Sequence, residues 1–531
     1  MKILICIVFL ISIMMFGLFY CYPAPIIQNT QSAEVPNTDK YPEFNENIKA
    51  LWLETSANLY NILKDKDSIC IFLDRAQKMG FNTIIPEAKN SFGYVIFNSK
   101  IAPRVHTIDF PRTWPDCYPA PNTFLKEDFD ILQTLIEEAH KRNIKVLTAI
   151  NIFSEGLNSF KIGPAFINPK WQSIIYTAER TINTNNSQCR IYGVDIPRGD
   201  DQLIIYTPYK NKISPCSHYG VEIQITNNIV TEISDRLSIN PDPGPLSVPI
   251  DGFLISAKGK ARQWILDNIK INDEITISDI EKTFIPSAEK GILTFVNPAN
   301  PEVIEYELKI LEELTKNYDI DGVILDRARY SDIYSDFSPI SKKSFEKYLN
   351  KKITNWPEDI IQIYSTDYWF DFNRGPLFNE WISFRAKNIY DFMVEAQKVI
   401  RKEKPEILFI NYVAAWYPSY WQEGVNWAAK DYQPYYNWTN QDWPKYGIAD
   451  LFDYLMVGVY YSKIYSSNHN SVVGGVKLAK EITQDKTKII PAILISLYKG
   501  DLTDIIKQLK EYDDFMIFDA SSIDKYEKWM K

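Results

Sequence analysis

The sequence predicts an α/β protein, a (β/α)8 TIM barrel with a mainly β domain inserted after the third barrel strand. Three observations carry this expectation. Eight short apolar runs alternate with amphipathic helical stretches, the order of a closed parallel barrel. One long stretch of β-like runs interrupts that order. The first apolar run passes into "LETSANLY", without the glycine-rich phosphate turn that an open doubly wound sheet would need there.

The elements follow in order. "ALWLE" (Ala50–Glu54) reads as the first buried strand, followed by a helix in "SICIFLDRAQKMGF" that stops at Gly80. "NTIIPEAK" is the second strand, "FDILQTLIEEAHKRNI" a helix and "KVLTAINI" the third strand. A helix from Pro301, with proline where a first turn accepts it, leads into the fourth strand, Gly322–Asp326. The long helix "FNEWISFRAKNIYDFMVEAQKVIRKEK" precedes "EILFINY", the fifth strand, and "DYLMVGVYY" is the sixth. "SVVGGVKLAKEIT" reads as a helix, "KIIPAILIS" as the seventh strand, "LTDIIKQLKEY" as a helix, "FMIFDA" as the eighth strand and "SIDKYEKWM" as a closing helix.

These elements divide the chain into a leader (1–24), a linker (25–46), the barrel's first part (47–165), the insert (166–289) and the barrel's second part (290–531). The leader has one lysine before "ILICIVFLISIMMFGLF", the pattern of a secretory signal or an uncleaved anchor, with Cys21 as a weak lipoprotein site. The expectation is an exported protein, secreted or held at the cell envelope, that meets a membrane only through this segment. The insert is expected to be β-rich from "CRIYGVDI", "QLIIYT", "GVEIQIT", "VTEI" and "GFLISA", with a helix in "ARQWILDNI".

Composition narrows the function. A formal charge of −9 without a basic block argues against a nucleic-acid partner. Four histidines without metal spacing, and no CxxC, HExxH, GxSxG or phosphate-loop pattern, predict neither metal nor cofactor. Cys189 and Cys216 are compatible with a disulfide or with buried thiols.

In such barrels the active face lies at the C-terminal ends of the strands. The residues expected there are Glu54; Glu87 and Lys89; Asn151 and Glu155; Asp326 and Arg327; Asn411 and Tyr412; Tyr460; and Asp519. The loop after the fifth strand adds Trp416, Trp421 and Trp427 among many aromatics. Aromatic faces beside carboxylates suit pyranose rings, so a carbohydrate is the expected partner.

At this point the chain resembles a known family. "FVNPANPEVIEYELKILEELTKNYDIDGVILDRARYSDIYSDFS", "NWPEDI" and "NYVAAWYPSYWQEGVNWAA" are similar to the glycosyl hydrolase-like 10 family, exported bacterial barrels related to the α-amylase-like superfamily. "ALWLETSANL" and "GFNTIIPEAKNSFGYVIFNSKIAP" fit it as well. The resemblance implies hydrolysis of glycosidic bonds in a poly- or oligosaccharide. Asp326 matches the nucleophile position of the α-amylase-like scheme. The acid/base glutamate at the fifth strand end is replaced by Asn411-Tyr412, so the second carboxylate is expected from Glu54 or Glu87, with Glu155 and Asp519 behind them. The alternative is a barrel that binds glycans without cleaving them, or an envelope scaffold. The insert's end, "VPIDGFLISAKGKARQWILDNIKINDEITI", resembles the C-terminal part of phosphodiester glycosidase-like domains and lacks their Asn-Gly-Gly-Phe type of motif.

Overall fold

In the computed structural model eight parallel strands close into a barrel, paired in chain order: β1 (Lys49–Leu53), β2 (Thr83–Lys89), β3 (Lys145–Asn151), β4 (Gly322–Asp326), β5 (Leu408–Ala414), β6 (Tyr454–Gly458), β7 (Lys488–Leu494) and β8 (Phe515–Phe518). The structure describes residues 47–107, 125–185, 187–192, 202–206, 220–238, 244, 246–365, 370–466, 468–498, 502–524 and 527. The leader, the linker, Cys6, Cys21, Cys117 and Cys216 lie outside these, as does most of the expected closing helix.

Side-chain alternation sorts each strand into two layers. Ala50, Trp52, Ile85, Leu147, Ala149, Ile324, Leu408, Ile410, Tyr454, Met456, Ile490, Ala492 and Met516 fill the barrel interior. Leu51, Leu53, Ile84, Val146, Ile150, Val323, Leu325, Phe409, Leu455, Val457, Ile493 and Ile517 face outward into the layer shared with the helices. Gly322 starts β4 because a Cβ there would meet Leu147 Cδ2 at 2.7 Å and Leu408 Cβ at 3.0 Å.

The helices start where short polar side chains satisfy their free amides. Asp65 caps α1 (Lys66–Lys78) through Ser68 N, Asp130 caps α2 (Ile131–His140) through Gln133 N, and Asn300 caps α3 (Pro301–Asn317) through Glu302 N. Each buries an apolar stripe, such as Ile69, Phe72, Leu73 and Ala76 of α1. Between β4 and β5 the chain adds α4 (Pro339–Leu349), a hairpin (Ile361–Ser365 with Phe370–Arg374) and α5 (Phe378–Glu403). The sequence reading contained only the last of these. α6 (Val472–Thr483) and α7 (Thr503–Leu509) flank β7.

Small antiparallel sheets form the insertion between β3 and β4. In one, Ile174–Asn183 pairs with Glu281–Pro286, Thr276–Ile277 and Gln188–Tyr192. The other runs in the order Gln202–Tyr206, Gly252–Lys258, Val221–Thr226, Ile229–Asp235, with a helix at Gly259–Asn268. The first sheet is not detached from the barrel body. Its Ile175, Tyr176, Ala178 and Ile285 share a core with Phe337, Phe345 and Trp381. The second packs around Ile223, Ile225, Ile255 and Ile265 in a core that Ile182 of the first sheet joins. A stem joins insert and barrel: Ser154–Leu157 pairs antiparallel with Leu293–Phe295.

Candidate active site

Extending the inner-facing positions by two residues gives the side chains over the barrel mouth. Trp52 leads to Glu54, Ile85 to Glu87, Ala149 to Asn151, Ile324 to Asp326, Ile410 to Tyr412 and Met516 to Phe518. Period two alone therefore brings three carboxylates to one face. Asp519 follows on the next residue, with Oδ1 accepting from Ser521 Oγ at 2.6 Å and Oδ2 from Asn58 Nδ2 at 3.4 Å.

Below the carboxylates the Trp52 ring sits 5.4 Å from Tyr412 and 5.7 Å from Phe518, and Tyr460 lies 6.4 Å from Phe518. The Tyr412 and Tyr460 hydroxyls are hydrogen-bonded to each other. This floor is aromatic and has polar ends.

Arg327 organises the charge. Its backbone amide donates to Asp326 Oδ1 at 2.7 Å and its Nη1 to Asp326 Oδ2 at 3.0 Å. Its φ of 47° lies in the left-handed region, which costs a non-glycine residue about 1–2 kcal/mol. The Arg327 carbonyl accepts from Arg329 N at 2.8 Å and Phe153 N at 3.3 Å, so backbone contacts on both sides hold that conformation.

Burial pushes the Glu54 carboxyl well up. The negative charges of Glu87 and Asp519 add to that, and Arg327 opposes it. Burial raises Glu87 to about 7; Arg327 pulls it down, while Asp326 pushes it up. The Thr55 amide donates to Glu87 Oε2 at 3.2 Å and favours the charged form. Burial also raises Asp519, against its hydrogen bonds from Ser521 and Asn58. A carboxyl protonated near neutral pH beside an Arg-paired carboxylate is the pairing that acid-assisted bond cleavage uses.

Several expected site residues lie elsewhere. The expectation that Lys89 reaches the rim fails at a β-bulge. Glu87 pairs with inward Ala149, but Lys89 pairs with outward Ile150, so the chain turns Lys89 to the outer layer. There Lys89 Nζ lies 2.6 Å from Glu307 Oε2 of α3 and is ion-paired with Glu155. All three side chains are fully buried, which also removes Glu155 from any ligand. Asn151 points inward but is fully buried, with both ends of its amide engaged. Asn411, one residue out of phase with Ile410 and Tyr412, is buried outside the barrel wall.

The aromatic loop differs from its expected role as a wall. Trp427 is fully buried against Tyr417, and Trp421 is 5% exposed against Phe378 and Trp438. Trp416 is half-buried on the main core. The loop aromatics pack on one another because a long loop needs its own core.

The sequence reading missed three contributors. Trp52 and Phe518 were legible from period two, lying inward beside Glu54 and Asp519. Glu423, in the loop after β5, carried no local signal. Burial raises its carboxyl to about 7, opposed by Arg329 and Arg385. Tyr420 lies within the electrostatic reach of both Glu423 and Asp326. A groove of about 490 Å³ lies between α3 and α5, lined by Ile304, Leu308 and Phe392, away from these residues.

The fold is a TIM barrel, and its second part resembles a glycoside hydrolase-like family. Residues 273–512 match the family model Glycosyl hydrolase-like 10. A curated relative, "S-layer-related protein" of Niallia circulans, is 31% identical over 262 residues. The match spans 45% of this chain and only 15% of that protein. Among solved structures, the PgaB (BpsB) glycoside hydrolase domain from Bordetella bronchiseptica is 10% identical, with 92% of this chain and 99% of that chain covered at a TM-score of 0.45. The catalytic domain of β-amylase from Paenibacillus polymyxa is 8% identical, with 90% and 96% covered at a TM-score of 0.39. At those scores neither likeness bears on function, and the barrel rests on its own strand pairing.

Proposed function

We propose that the protein hydrolyses glycosidic bonds of a poly- or oligosaccharide at the barrel mouth. The observation that carries this reading is the mutual influence of Glu54, Glu87, Asp326 and Asp519 over an aromatic floor. Asp326, charge-paired with Arg327, is the carboxylate that attacks the anomeric carbon or stabilises its developing positive charge. Glu87, protonated up to a pH of about 7, donates a proton to the leaving oxygen, with Glu54 as its neighbour in that role. Tyr412 and Phe518 present ring faces to the sugar. The leader sequence and the S-layer-related relative support action outside the cell, on the envelope or its surroundings.

The test is release of reducing ends from a glycan panel that includes envelope polysaccharides. Release by the native chain, lost in both Asp326→Asn and Glu87→Gln, is the expected result. The second reading, a non-catalytic glycan-binding or scaffold barrel, is favoured by Asn411-Tyr412 in β5, where the α-amylase-like resemblance would call for a glutamate. Glycan binding without any release of reducing ends selects it.

A further inference from the structure

The hydrolase reading leaves one inward polar residue of the mouth without a task. Asn151 ends β3 directly beside Asp326 in the sheet register, yet it is fully buried. Its Nδ2 donates to the Lys89 carbonyl at 3.0 Å, and its Oδ1 accepts from Arg327 Nη1 at 2.7 Å. The same Nη1 reaches Asp326 Oδ2 at 3.0 Å. An amide has both a donor end and an acceptor end, and here each meets the partner it requires.

The Lys89 carbonyl is itself held in place. The bulge sends the lysine side chain outward, where Glu307 of α3 and Glu155 of the stem grip its ammonium. The Tyr306 ring centroid lies 5.5 Å from Nζ. Gly93 leaves room for this arrangement, since a Cβ there would stand 2.6 Å from Glu155 Oε2. A fully buried ionic cluster adds little net stability compared with apolar packing, so its value lies in fixing geometry. What it fixes is the end of β2.

We propose that Asn151 is a positioning residue: it ties the Arg327 guanidinium to the Lys89-anchored end of β2 and thereby fixes the direction of the Asp326 carboxylate. The proposal rests on the hydrolase reading, in which that direction matters for attack at the anomeric carbon. Asn151 touches no sugar. Its loss acts through Arg327, which is then free to turn away from Asp326 and from the neighbouring Glu54 and Glu87.

The experiment compares Asn151→Leu and Asn151→Asp with the native chain. Leucine removes both hydrogen bonds; aspartate keeps the acceptor that Arg327 needs. Misplacement of a reacting group by about 1 Å costs on the order of 100-fold, so kcat of Asn151→Leu should fall by about that factor with KM little changed. Asn151→Asp restores the acceptor for Arg327 but not the donor to the Lys89 carbonyl, so it should recover only part of the loss. The second measurement needs no turnover: carboxyl 13C NMR titration of Glu87, which faces Glu54, Asp326, Arg327, Asp519 and the Thr55 amide. Arg327 lowers the Glu87 titration and Asp326 raises it, so release of Arg327 moves the Glu87 midpoint upward from about 7. An unchanged midpoint in Asn151→Leu overturns the proposal. So does a loss of kcat that tracks only a loss of folded protein. Where Asn151→Leu does not fold, Asn151→Ser, which leaves space for water, takes its place in both measurements. A native chain that cleaves no glycan sinks the hydrolase reading, while the titration still decides whether Asn151 holds Arg327.

Discussion

Two groups of carboxylates stand on either side of the same strand end, and their environments oppose each other. Inside the barrel, Glu54, Glu87, Asp326 and Asp519 crowd together with Arg327 as the nearby cation, and proton uptake relieves the crowding. Outside, Glu155 and Glu307 share Lys89 in a sealed layer. Burial raises both carboxyls, while the ammonium pulls each back down. One bulge between Glu87 and Lys89 separates the two groups. Similar residue types thus end as a site on one face and a clasp on the other, because exposure and partners decide what a carboxylate does.

The largest expected effect separates chemistry from support. Asp326→Asn should lower turnover by orders of magnitude, with ligand binding and melting temperature nearly kept, since the lost charge acts in the transition state. Retained turnover would move Asp326 to the structural side of the comparison. Lys89→Met should do the reverse. It strands two buried carboxylates, and breaking such a pair costs about 3–5 kcal/mol in chemical denaturation. A loss below about 1 kcal/mol would mean that Glu155 and Glu307 pair well enough without the lysine.

Trp427→Ala probes the aromatic loop at a similar scale. A fully buried tryptophan truncated to alanine should cost about 3–5 kcal/mol, with glycan affinity of the folded fraction unchanged. A selective loss of affinity would return the loop to the binding wall.

A smaller effect follows from pH. An ordinary glutamate titrates near 4.3, whereas Glu87 holds its proton in the folded state up to about 7. The native form therefore binds more protons than the unfolded chain in that interval. The stability associated with Glu87 is full below about 4.3 and is lost as pH rises to about 7. Denaturation midpoints measured at pH 5 and pH 8 should fall with pH, and Glu87→Gln should flatten the slope. The smallest change is expected for Glu423→Gln, a shift in the alkaline limb of activity without loss of folding. An orders-of-magnitude loss there would make Glu423 the proton donor in place of Glu87.

Much of the barrel was legible because buried parallel strands are continuous apolar runs and the helices between them carry caps and stripes. The rim carboxylates were read from the strand ends, and period two accounts for their inward direction. Lys89 was misplaced because a bulge leaves no trace in residue types; it is a register event, visible only when β3 is laid beside β2. Asn411 was misplaced by a phase error of one residue, which moves a side chain through the barrel wall. Helix α4 had a readable start, Ser338 accepting from Ser341 N with Pro339 in the first turn, but its polar face obscured the pattern. Trp421 and Trp427 read as a sugar wall because aromatic density does not reveal whether rings face water or one another. Glu423 depends on a long loop folding back beside Arg329, which no local spacing encodes.

The paired stem at Ser154–Leu157 and Leu293–Phe295 has one more consequence. The chain leaves the barrel and returns to it at adjacent points, with Asn158 N donating to the Ile292 carbonyl at 2.9 Å just beyond the pairing. Anything carried between those points meets an already closed base, and longer excursions add only slowly to the entropy of closure, roughly 0.6 kcal/mol for each doubling of length. The stem therefore fixes where the excursion begins and ends, and a change of length costs least in the far sheet, because Ile175, Tyr176 and Ile285 of the near one share a core with Phe337, Phe345 and Trp381.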